Sequence, residues 1–132
     1  MSVKVTGIHH IALKACGLEQ FRKTVSFYHD LLSLPVARTW GEGENVGIML
    51  DTGAGLIEIF ANADDAPGQG AVRHMALAVE DTDACVDAVR AAGYEITREP
   101  VDIVIGSVPP YPARIAFCIG PVGEEIEFFQ LK

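Results

Sequence analysis

Four residues of this chain have side chains that bind a transition metal and stand at matching places in a repeated pattern: His10, Glu58, His74 and Glu127. The segment Ile8-His9-His10-Ile11-Ala12-Leu13 is echoed by Val72-Arg73-His74-Met75-Ala76-Leu77, an offset of 64 residues from 10 to 74. Further on, Ile57-Glu58-Ile59-Phe60 is echoed by Ile126-Glu127-Phe128-Phe129, an offset of 69 residues from 58 to 127. Two matches in the same order at nearly the same offset point to a duplication. The copies span about 1–64 and 70–132, joined through Asp64-Asp65-Ala66-Pro67-Gly68-Gln69-Gly70, which reads as a linker within a single domain.

Two imidazoles and two carboxylates suit a borderline divalent ion with room left for water. Such an ion can polarise a carbonyl oxygen and hold an enediolate, and a carboxylate beside it can move a proton. Singly, each residue has a plainer account: a hydrogen-bonded strand histidine, or a glutamate facing solvent from a half-buried strand. Jointly the plain account weakens. An ionised carboxylate between apolar strands is costly unless it is paired or metal-bound, and each glutamate has a histidine at the matching repeat position. His9 is the internal control: by strand alternation it faces away from His10, and Arg73 holds its place in the second copy, so it reads as structural.

The elements that must position these groups follow from periodicity. Each half opens with a strand, at about 7–14 and 71–79. A helix follows. Leu18, Phe21, Val25, Tyr28, Leu31 and Leu32 recur at helical spacing before Pro35 in the first half; Cys85, Val86, Val89 and Ala92 do so between Asp81 or Thr82 and Gly93 in the second. Three strands then come at about 36–41, 45–51 and 55–61, and again at about 95–98, 113–119 and 124–130, with the proline-rich stretch 106–112 read as a loop. The expected fold is α+β, a βαβββ unit used twice to form a cupped mixed sheet. Alternation puts His10, Ala12 and Lys14 on one face of the first strand, and Leu56, Glu58, Phe60 and Asn62 on one face of the fourth.

Composition bounds the rest. The chain has 132 residues, 49% of them hydrophobic and 21% charged, enough for one globular domain with a core of its own. A net charge of −8 argues against nucleic acid and against anionic membrane surfaces as partners; it is compatible with a cytosolic enzyme without pointing to one. The three cysteines, Cys16, Cys85 and Cys118, have no CxxC spacing and read as free buried thiols in a reducing cytoplasm. No signal peptide or membrane-length apolar run is expected.

With these residues in view, the chain resembles the vicinal oxygen chelate superfamily, and within it the short bacterial type of glyoxalase I (lactoylglutathione lyase). The resemblance rests on His10-Ile11-Ala12-Leu13, Ser26-Phe27-Tyr28, Leu31-Leu32-Ser33-Leu34, Arg38-Thr39 and Glu58, and on Arg73-His74-Met75-Ala76-Leu77, Thr97-Arg98-Glu99, Ile115-Ala116-Phe117 and Ile126-Glu127. It implies a homodimer and one divalent ion per site held by His10, Glu58, His74 and Glu127, with nickel or zinc first and cobalt or manganese as alternatives. It also implies isomerisation of a hemithioacetal of methylglyoxal and a thiol through a metal-stabilised enediolate, with Glu127 as base and Glu58 as ligand and second acid/base. Asn62 matches a glutathione-contacting position, Lys14 stands where the family usually has Arg, and Arg38 and Phe60 complete the expected substrate-binding set. The usual Leu-Gly-Leu is here Leu32-Ser33-Leu34, the Asp-Pro-Asp-Gly turn is Gly120-Pro121-Val122-Gly123, and the loop 106–112 departs from the region that encloses the thiol. Within the superfamily the alternatives are an acyl-CoA epimerase, which commonly has Gln at the Glu58 position, and a non-catalytic module that binds drugs or other small molecules.

Overall fold

The computed structural model describes residues 6–65, 69–70 and 72–132. Residues 66–68 of the expected linker and residue 71 of an expected strand lie outside them. The chain divides into two compact units, Met1–Ala66 and Pro67–Lys132.

The first unit runs β1 (His10–Lys14), α1 (Gly17–Val25), a π-helical segment (Ser26–Leu31), β2 (Val36–Trp40), a 3-10 turn (Gly43–Asn45), β3 (Gly47–Asp51) and β4 (Leu56–Phe60). Its sheet has the order β1-β4-β3-β2, with β1 parallel to β4 and the other pairs antiparallel. The second unit runs β5 (Met75–Ala78), α2 (Thr82–Ala91), β6 (Ile96–Ile105), β7 (Tyr111–Ile119) and β8 (Glu125–Leu131), in the order β5-β8-β7-β6 with the same sense of pairing. Each unit is therefore βαβββ with its own four-stranded mixed sheet, and the fold class is α+β.

Each core lies between the helix and one sheet face. In the first unit Phe21, Thr24, Phe27 and Tyr28 are buried with Ile48, Leu50, Ile57 and Ile59. In the second, Thr82, Val86 and Val89 are buried with Ala116, Cys118, Ile126 and Phe128. Each fully buried large side chain contributes roughly 1.5–3 kcal/mol. Helix ends are set locally. The Asp81 carboxylate accepts from the Ala84 N–H at 3.0 Å, which caps α2. Gly93 takes φ +92° just past its end, with its N–H donating to the Arg90 carbonyl at 3.0 Å. Arg114 ties the elements of the second unit together on the helix side, reaching Asp83 of α2 at 2.6 Å and Asp102 of β6 at 3.1 Å. Its hydrogen bonds hold both carboxyls below their usual range.

Three expectations are corrected. The helical pattern from Leu18 to Leu32 is α-helical only to Val25 and then widens into the π-helical segment. The strand expected at 95–98 extends to Ile105, because Pro100 does not end it. Pro100 falls between Arg98 and Val101, where the register of β6 shifts, and β6 is an edge strand. The expected loop 106–112 is shorter, since β7 already includes Tyr111 and Pro112. Pro112 lies opposite Val104 of β6, β8 pairs from Ala113 onward, and the Pro112 carbonyl accepts from the Lys132 N–H just past β8 at 3.3 Å. Among the described residues no helix is long and apolar enough to cross a membrane.

Candidate metal centre

The sheet ladders put a histidine and a glutamate side by side in each unit. In the first, β1 and β4 run parallel with Ala12 beside Glu58 and His10 beside Leu56, so His10 and Glu58 lie on the sheet face away from α1. His10 Nε2 is 3.5 Å from Glu58 Oε1. In the second unit Ala76 lies beside Glu127, and His74, just before β5, brings its Nε2 to 3.2 Å from Glu127 Oε1. Both glutamates are buried (9% and 8% exposed), while the two histidine side chains are about 40% exposed. Each pair is thus a sunken carboxylate with an accessible imidazole at its rim, a geometry that offers two donors to one ion. Among the described residues no group of three or more His, Cys, Asp and Glu side chains could hold a metal ion. The first unit supplies the donors His10 and Glu58, and the second supplies His74 and Glu127.

The neighbours of the two glutamates are equivalent. Glu58 is flanked by Met49, then Arg38, across β3 and β2. Glu127 is flanked by Phe117, then Arg98, across β7 and β6. Two strand spacings put each arginine backbone about 10 Å from the glutamate backbone. Arg38 donates to Met49 Sδ at 2.9 Å. The next row of the first unit holds Lys14 beside Phe60, then Gly47, then Trp40. Trp40 meets Phe60 edge-on with ring centroids 6.1 Å apart, and its indole occupies the space that a Cβ on Gly47 would need. Lys14 and Arg98 have no ion-pair partner among the described residues. In a chain of net charge −8, unneutralised cations on the glutamate-bearing faces are suited to an anionic group of a ligand. Asn62 lies beyond the end of β4, exposed and bridged to Cys16.

Sequence reasoning did not single out Arg98 or Trp40 as site residues. Extending the repeat comparison to arginines pairs Arg38 with Arg98, which was the available signal; nothing in sequence spacing draws Trp40 to the same row as Lys14. His9 requires a correction. It precedes β1, so alternation does not govern it, and its Nδ1 lies 2.9 Å from His10 Nδ1 rather than on the opposite face.

Comparison with known proteins agrees with this architecture. The chain is 32% identical to a lactoylglutathione lyase of Haemophilus influenzae over 95% of its own length and 93% of the relative's. It superposes on a trypanothione-dependent glyoxalase I of Leishmania major with a TM-score of 0.70 at 21% identity, covering 96% of this chain and 87% of that one. It superposes equally on TnmS3, an antibiotic binding protein from a Streptomyces species, with a TM-score of 0.70 at 15% identity, covering 99% and 100% of the two chains. This chain thus shares its fold with a glyoxalase and with an antibiotic binding protein alike. The model of the Glyoxalase/Bleomycin resistance protein/Dioxygenase superfamily matches residues 7–128, and the chain belongs to that superfamily.

Proposed function

We propose that the protein is a divalent-metal-dependent isomerase or lyase of the glyoxalase I type, acting on a small carbonyl substrate such as the hemithioacetal of methylglyoxal and a thiol. The observation that carries this reading is the paired placement of His10 with Glu58 and of His74 with Glu127 at equivalent ladder positions. A superfamily module that only sequesters a ligand has no need of it. The relatives named as lactoylglutathione lyases, about one-third identical over nearly the full length, support the same choice.

The donor set fits nickel, zinc, cobalt or manganese, all of which accept imidazole and carboxylate together. When bound, the ion supplies Lewis-acid polarisation of the substrate carbonyl. The complete set is a first-unit pair and a second-unit pair brought together in a single domain or across a homodimer. Glu127 takes the proton from the carbon next to the carbonyl and returns it to the neighbouring carbon, a 1,2-shift that leaves the atom count unchanged. Glu58 holds the metal and serves the oxygen side of that shift. Lys14, Arg38 and Arg98 hold an anionic portion of the substrate, Asn62 hydrogen-bonds it, and Phe60 and Trp40 line the apolar side.

The test is reconstitution. The chelated protein is reloaded with each of the four metals and assayed against hemithioacetals of several thiols and against acyl-CoA esters. One ion per complete set, activity with a hemithioacetal, and loss of metal in His74→Ala are the expected results. A homodimer in analytical ultracentrifugation is expected alongside. Failure to bind any of the four ions overturns the reading in favour of a binding module, and activity confined to acyl-CoA esters redirects it to an epimerase.

A further inference from the structure

The two histidines of the metal centre are held by different means. His74 meets the Phe117 ring edge-on, with centroids 5.4 Å apart. Arg73, which holds the His9 position of the second copy, turns away to Gln69 Oε1 at 3.0 Å and the Gly70 carbonyl at 3.5 Å. His10 instead has its Nδ1 2.9 Å from His9 Nδ1, with the two rings edge-on and their centroids 5.1 Å apart. The His9 backbone is fixed in turn, since its carbonyl accepts from the Leu56 N–H at 3.0 Å. That close approach of β4 depends on Gly55, where a Cβ would lie 2.8 Å from the Ile8 carbonyl oxygen.

We infer that His9 is a positioning residue for the metal centre, which sets the tautomer and ring orientation of His10 through an Nδ1–Nδ1 hydrogen bond. The inference rests on the metal-centre reading above. His10 Nε2 faces Glu58, so this is the nitrogen whose lone pair meets an ion. Its Nδ1 must then keep its hydrogen and donate it, and the atom within reach is His9 Nδ1. His9 accepts only as a neutral imidazole with its hydrogen on Nε2. A metal-binding imidazole is ordinarily steadied by such a partner on its other nitrogen, and loss of that partner typically weakens metal affinity by 10- to 100-fold. Carboxylates and backbone carbonyls are the common partners; here a neighbouring imidazole takes the place.

The experiment compares wild type, His9→Phe and His9→Asn. Phenylalanine keeps a ring without an acceptor; asparagine offers a carbonyl oxygen near the place of Nδ1. Zinc affinity by chelator competition should fall roughly 10- to 100-fold in His9→Phe and recover most of the loss in His9→Asn. The melting temperatures of the chelated proteins should agree, because His9 is exposed. In the zinc-loaded wild type, nitrogen-15 spectra of labelled histidine should show a slowly exchanging His10 Nδ1–H that His9→Phe lacks. Wild-type zinc affinity in His9→Phe, an equal loss in His9→Asn, or absence of that Nδ1–H overturns the inference while leaving the metal centre intact. A wild type that takes up no zinc overturns both.

Discussion

Replacing Glu127 by methionine should stabilise the metal-free protein while abolishing its metal uptake. Glu127 is only 8% exposed, and its ladder neighbours are Ala76 and Phe117. Its polar contact is His74 Nε2 at 3.2 Å. The carboxylate is thus mostly out of water with an imidazole beside it in place of a permanent countercharge. Methionine has nearly the same length, branches nowhere and meets apolar neighbours. Removing an incompletely compensated carboxylate from such a place is worth roughly 1–2 kcal/mol. For a chain of this size that corresponds to a rise of about 3–8 °C in melting temperature. Zinc should reverse the order, since a ligand at 100 times its dissociation constant adds about 2.7 kcal/mol to the form that binds it. The assay is thermal unfolding at pH 8, with chelator and with excess zinc, for wild type and Glu127→Met. A variant less stable than wild type in chelator would refute the reasoning, because it would mean that the carboxylate is held by interactions worth more than its burial costs.

Four further outcomes are expected. Glu127→Gln should lose roughly 100-fold or more in turnover and in solvent deuterium entry, while Glu58→Gln should lose less; near-wild-type exchange in Glu127→Gln would remove it as the base. Burial pushes the Cys118 thiol up to about 12, helped by the nearby charge of Glu124, whereas Cys16, against the expectation that all three thiols are buried, is exposed; thiolate is the reactive form, so a disulfide reagent at pH 8 should modify Cys16 readily and Cys118 only on unfolding. The same raised Cys118 value means that the unfolded chain ionises this thiol first, so its contribution to stability is present below about pH 9 and is lost between there and about pH 12. Ser33 is held at φ +64°, the left-handed region that favours glycine, so Ser33→Gly should be neutral to stabilising, by up to about 1 kcal/mol, in denaturant unfolding; a clear loss would show that the serine side chain matters more than its backbone strain.

The fold was legible where periodicity is local. The paired echoes around His10 and His74 located the opening strands, and alternation grouped His10 with Ala12 and Lys14, and Leu56 with Glu58 and Phe60, while the register that sets these two rows side by side came only with the sheet. Pro100 hid the extent of β6, because a proline in a strand is tolerated or excluded according to whether the strand lies at an edge, which is a property of the sheet. The widening of the helix after Val25, in the segment that carries the buried Phe27 and Tyr28, leaves no mark on the spacing of the apolar residues. At the site, each His–Glu pair could be read from the repeat, whereas the contact of His9 with His10 could not. Alternation describes residues inside a strand, and β1 begins one residue too late to govern His9.

The placement of the Trp40 indole over Gly47 restricts how this face can change by mutation. Since any Cβ at position 47 would fall inside the indole, a substitution there is harmful while Trp40 is present and tolerable once position 40 carries a smaller residue. Shrinking Trp40 first opens a route that the reverse order closes. The two positions therefore show sign epistasis. A directed-evolution search that varies single positions will find Gly47 resistant to change, while one that varies both together will reach a different surface beside Phe60. Because β2 and β3 are adjacent strands, a library confined to these two residues is enough to explore that alternative surface.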